Sequence, residues 1–112
     1  MGWTSHNAAL QDPAYDLSLN IGAHLSLLKA LKATPRSAIY LGSRAQYGRP
    51  NVVEITEETP MIPEDVQGLH KVAAEGHFRI ASKFGLPAVS LRFPNCFGER
   101  MPSQGDDIGL IG

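Results

Sequence analysis

The sequence is short of every feature that would mark a secreted, membrane-spanning or nucleic-acid-binding protein. Its 112 residues hold one cysteine, Cys96, so no disulfide can form within the chain. A lone thiol suits a reducing compartment, and a cytoplasmic location is the expectation. No run approaches the ~18 apolar residues that cross a bilayer. The opening "MGWTSHNAALQ" has neither the basic nor the apolar stretch of a secretory leader. Excess positive charge is missing too. Ten Lys and Arg face eleven Asp and Glu, a formal net charge of −1. They are scattered, with no basic stripe of the kind nucleic acid requires. Repeats and low-complexity tracts are absent. With 43% hydrophobic and 19% charged residues, the composition is that of a folded chain, enough for one small domain at most.

What is present alternates between two periods. In "DPAYDLSLNIGAHLSLLKALKAT", Leu17, Ile21, Leu25, Leu28 and Leu31 form an amphipathic stripe. Asp12-Pro13 supplies an N-cap and a proline in the first helical position, and Lys29 and Lys32 suit the dipole at the far end. "SAIYLGS" (37–43) reads as a buried strand. Residues 44–63, punctuated by Pro50, Pro60 and Pro63, should be mostly loop. A second helix is predicted from about 64 to 84, with Val66, Leu69, Ala73, Ile80 and Phe84 facing the core and Gly85 closing it. "PAVSLRF" (87–93) reads as a second strand, followed by a Gly/Pro-rich loop.

The order helix–strand–helix–strand predicts an α/β fold with parallel strands joined by a right-handed crossover. Two strands make a poor sheet alone. The abrupt ends, "DDIGLIG" among them, suggest a cut through a larger domain or an assembly completed by another copy.

Ligands of open α/β sheets sit outside the carboxyl ends of the strands. Ser43 ends the first strand and Asn95 follows the second. Between them Gln67 and Lys71 share one helical face, distinct from the Val66/Leu69/Ala73 stripe. Taken together, "YLGSRAQYG", Glu57, Pro60, Pro63, "QGLHKVAAE" and "SLRFPNCFG" resemble the extended short-chain dehydrogenase/reductase family, the NAD-dependent sugar-nucleotide epimerases and dehydratases. In that family a strand ends in Ser-Ser/Thr-x-x-x-Tyr-Gly, a helix carries Tyr-Gly-x-x-Lys, and the next strand ends in Leu-Arg-x-x-Asn. "NIGAHLSLLKAL" is similar to the family's Asn-Val-x-Gly-Thr-x-x-Leu-Leu helix, with Asn20 at the asparagine.

The resemblance implies a partial Rossmann-like, doubly wound domain over residues 1–112, without the N-terminal Gly-rich half and the C-terminal substrate part. It implies NAD or NADP as cofactor of a parent protein, with no tight binding and no activity expected of this chain alone. The substrate implied is a nucleotide-linked sugar. By position, Ser43 would hydrogen-bond the reacting hydroxyl and Lys71 would hold the cofactor ribose and lower the acid/base pKa. Asn20 and Asn95 would contact cofactor or, for Asn95, substrate. A homodimer through helices of about 14–33 and 64–84 is implied as well.

At the family's tyrosine stands Gln67, whose amide cannot shuttle a proton near neutrality. In this the chain resembles a subgroup with asparagine there. Tyr47 belongs to the family's Tyr-Gly and is no substitute. His70 has suitable chemistry but is rotated by ~60° from Gln67. His6, His24 and His77 read as surface or packing residues, Cys96 as a buried inert thiol, and no metal site is expected. The rival expectation is a non-catalytic binding or assembly module that keeps the fold.

Overall fold

The structure, a computed structural model, describes residues 5–33 and 36–99. Ser5 caps a short helix that the sequence reading missed, α1 (His6–Gln11), by accepting from the Ala8 N–H. Asp12 then starts a new helix as predicted. Its Oδ1 accepts the Tyr15 N–H at 2.9 Å, and Pro13 takes the first position. This helix runs as α2 (Pro13–Leu17), a π turn (Ser18–Gly22) and α3 (Ala23–Ala33).

Strand β1 (Ala38–Ser43) leads into a 3-10 turn at Arg44–Tyr47, and the loop beyond reaches α4 (Val66–Lys83). Helix α4 stops in a Schellman motif. Gly85 (φ +99°) donates to the Ser82 carbonyl and Leu86 to that of Ala81. Strand β2 (Ala88–Phe93) pairs parallel to β1, in register from Ala38–Ala88 to Ser43–Phe93. The predicted strands, their parallel pairing and the closing glycine are all present.

The core is small and aromatic. Leu28, Tyr40, Ala74 and Phe78 are its buried members. Tyr40 stacks on Phe78 at 5.2 Å, and His24 meets both edge-on. Burial keeps the His24 imidazole below its usual pKa and pushes the Tyr40 phenol up. Among the described residues no helix is long and apolar enough to cross a membrane.

The helix faces differ from expectation. On α4 the stripe expected to face the core turns outward, with Leu69 56%, Ile80 55% and Phe84 86% exposed. The buried side carries Gln67, His70, Ala74, Glu75 and Phe78, and Lys71 is half-buried beside them. The Gln67/Lys71 face is thus the packed one. The leucine stripe behaves likewise: Leu28 is buried, Leu17 and Leu25 are exposed, and Asp16 and Asn20 take the interior. Polar side chains can hold these places because they satisfy one another inside. Strand β1 is not buried on both faces, since Ile39 and Leu41 are exposed. Cys96 is exposed rather than buried.

Candidate active site

The carboxyl end of β1 is fixed by reciprocal capping. Ser43 Oγ accepts the Ala45 N–H at 3.3 Å, and Gln46 Oε1 accepts the Ser43 N–H at 2.8 Å. Beyond β2, Asn95 Oδ1 accepts from Arg44 Nε at 2.9 Å, so the two strand ends are tied together. Ser43 and Asn95 line one cleft of about 230 Å³, with His6, Arg44, Arg49 and Asp65 among its other walls.

Asp65 starts α4 and serves two partners. One carboxylate oxygen accepts the Gly68 N–H at 2.6 Å, and the other lies 3.3 Å from His6 Nδ1. Gly68 has a steric purpose. A Cβ there would stand 2.6 Å from the Ala45 carbonyl oxygen, so only glycine lets the helix start rest on the turn after Ser43.

Lys71 lies one turn further along. Its ammonium donates to the Leu41 carbonyl at 3.3 Å and lies 5.7 Å from the Tyr40 ring centre. Desolvation lowers its pKa, opposed by the Asp16 carboxylate. Lys71 and Gln67 are not among the walls of the Ser43 cleft. Gln67 is buried in the first turn of α4. His70 points away from that cleft, donating from Nδ1 to Asp16 Oδ2 at 2.5 Å. Asp16 also accepts from Asn20 Nδ2 at 2.8 Å, which places Asn20 in the α2–α4 contact rather than in the cleft.

A second buried network supports the Ser43 turn. Gln46, which holds the Ser43 N–H, donates from Nε2 to Glu75 Oε2 at 2.7 Å. Glu75 takes a two-pronged bond from Arg92, and Arg92 also donates to the Tyr47 hydroxyl at 2.7 Å. The Arg92 hydrogen bonds, aided by Gln46 and against the cost of burial, hold the Glu75 carboxyl below its ordinary range. Arg92 is raised in return. The sequence reading missed His6, Asp65, Gln46 and Glu75. Asp65 had a legible signal, an acidic residue one place ahead of a helix. His6 had none, since only the tertiary fold brings it beside Asp65.

A family profile described as "NAD dependent epimerase/dehydratase family" matches residues 3–111, and the chain belongs to that family. A UDP-glucose 4-epimerase of Corynebacterium glutamicum is 36% identical over 81 residues, 70% of this chain and 25% of that protein. The crystal structure of UDP-glucose 4-epimerase from Brucella ovis in complex with NAD superposes with a TM-score of 0.79 at 31% identity, covering 84% of this chain and 30% of that one. A UDP-N-acetylglucosamine 4-epimerase from Methanobrevibacter ruminantium, in complex with UDP-N-acetylmuramic acid, gives a TM-score of 0.88 at 25% identity, covering 98% and 36%. The chain spans about a third or less of the length of the curated relatives it matches. The α/β fold with parallel strands is the Rossmann-type fold of these enzymes.

Proposed function

We propose that this chain forms the catalytic strand–helix–strand part of a protein that interconverts or dehydrates nucleotide-linked sugars with NAD or NADP. One observation carries the reading: Ser43 and Asn95, distant in sequence, share a single polar cleft at the carboxyl ends of both strands. The names of its relatives favour a UDP-sugar and 4-epimerisation. Solved relatives hold NAD or NADPH.

The residues present fit part of such a cofactor. Leu41 takes one of the three donors of the Lys71 ammonium, and the others can serve the hydroxyls of a ribose. The Gly-x-x-Gly-x-x-Gly turn that would hold the pyrophosphate is not in this sequence, so that grip falls to the rest of the parent protein. When bound, the nicotinamide would supply hydride acceptance and return. Ser43, Lys71 and Asn95 bind and orient. Ser43 lines the cleft where a sugar hydroxyl would bind, and the tie to Arg44 holds Asn95 in the same cleft. Gln67 supplies no proton transfer. Asn20 contributes by holding Asp16, and through it His70 on α4.

A homodimer is part of the proposal. Leu25, Leu31, Ile80 and Phe84 line a groove of about 440 Å³ between α3 and α4, on the outward side of both helices. The rival reading, an assembly module without catalysis, draws support from Gln67 alone.

The test is turnover. The full-length parent, given NAD or NADP and UDP-glucose or UDP-N-acetylglucosamine, should form the 4-epimer or a dehydrated 4-keto sugar, read by proton NMR. Absence of product with every UDP-hexose, together with absence of dinucleotide binding, would favour the module.

A further inference from the structure

We propose that His6, held by Asp65, is the proton-transfer group of the Ser43 cleft and takes over the task that Gln67 cannot perform. This rests on the epimerase/dehydratase reading above. Three observations meet here. His6 lines the same cleft as Ser43 and Asn95, whereas Gln67 and His70 do not. Its Nδ1 lies 3.3 Å from Asp65 Oδ2, so the carboxylate holds one edge of the ring and the Nε2 edge is the one available to a substrate. Asp65 is itself immobilised, because its other oxygen caps α4 through Gly68. A carboxylate on one ring nitrogen and a serine hydroxyl sharing the cleft are what a general base needs.

The imidazole is half exposed, so a substrate can reach it. The charged groups that share the cleft are Asp65, Glu64, Arg44 and Arg49. Arg49 is engaged by Glu64 at 3.0 Å and Arg44 by Asn95, which leaves Asp65 as the carboxylate on the ring. In the forward step the O–H bond of the sugar alcohol breaks and its proton passes to His6 Nε2. The hydride lost by the same carbon goes to the oxidised nicotinamide of the parent protein. Reduction of the resulting ketone draws that proton back, and the ring ends neutral.

The experiment uses the full-length parent and its His6→Gln and His6→Ala variants, with UDP-glucose and NAD. His6→Gln should lose ~10²- to 10⁴-fold in kcat, the usual worth of general acid–base catalysis. UDP affinity should stay within about threefold of wild type, since ground-state binding is untouched. Added imidazole should raise the rate of His6→Ala, which a merely structural histidine would not allow. The imidazole ¹⁵N signal of His6 should move when wild type is saturated with UDP-glucose. An active wild type with an equally active His6→Gln, or an unmoved His6 signal, overturns this proposal alone. A wild type inactive on every UDP-hexose overturns the epimerase/dehydratase reading and this one with it.

Discussion

Lys71 shows how one side chain can be packed along its stem and still carry a charge at its tip. Its stem runs along the buried face of α4, and its ammonium emerges at the Leu41 carbonyl. Replacing it by methionine keeps the stem and removes the charge. Lys71→Met should therefore fold, yet weaken dinucleotide binding to the full-length parent ~10- to 100-fold, the usual worth of a charge-assisted hydrogen bond. Fluorescence titration with NAD reads this directly. Unchanged affinity would remove Lys71 from the cofactor site. The sequence made Lys71 legible through its spacing to Gln67 and Gly68, and the reason for Gly68 became plain only in three dimensions. The Ala45 carbonyl that rests on it belongs to a different element.

Between elements, Glu75 is the hinge point of the buried polar layer. It joins α4 to β2 through Arg92 and to the Ser43 turn through Gln46. Its carboxyl is depressed in the folded state, chiefly by Arg92, so the unfolded chain takes up a proton first as the pH falls. The stabilisation is complete above the ordinary carboxylate pKa, about 4.3, and is lost as the pH drops through that value toward the lower folded one. Glu75→Gln leaves the guanidinium without its counter-charge. It should cost ~3 kcal/mol at neutral pH and flatten the acid side of the stability curve. Urea midpoints between pH 3 and 7 measure both effects; a variant that matches wild type throughout would show that the network carries no such weight.

Element identity was largely legible, because strand composition, the Asp12-Pro13 cap and Gly85 are local signals. Direction was not. The 3.6-residue period of Val66, Leu69, Ala73, Ile80 and Phe84 is a helical one, but periodicity cannot say which side is core when polar side chains fill part of the interior. Here the hydrogen-bonded pairs Asp16–His70 and Gln46–Glu75 share the inward side with Ala74 and Phe78, while Leu69, Ile80 and Phe84 look out.

For the molecule as a whole, the consequence is two apolar surfaces that are exposed among the described residues. One is the α3–α4 groove; the other is the outer face of the sheet, where Ile39, Leu41, Val89, Leu91 and Phe93 are exposed. Apolar patches of this kind mark contact surfaces. If the groove is where two copies meet, Ile80→Glu in the full-length parent should shift the protein from dimer to monomer in light scattering, with the far-UV spectrum retained. A variant still dimeric would move the interface elsewhere. The sheet face predicts a different behaviour for the chain expressed alone. It should bind a hydrophobic dye such as ANS far more strongly than the full-length parent does, and equal binding would mean that the parent leaves this face uncovered.

The wide turn at Ser18–Gly22 sets how the gene can change length. A π turn stores one residue beyond the α-helical count, so the helices on either side already sit in register around it. Deleting Leu19 would let the turn relax to ordinary helix and leave Asp16 against His70 and Leu28 in the core. Deleting a residue within α3, such as Leu27, would instead turn everything after it by ~100° and bring Leu28 out of the core. One position in this long helix is thus open to deletion.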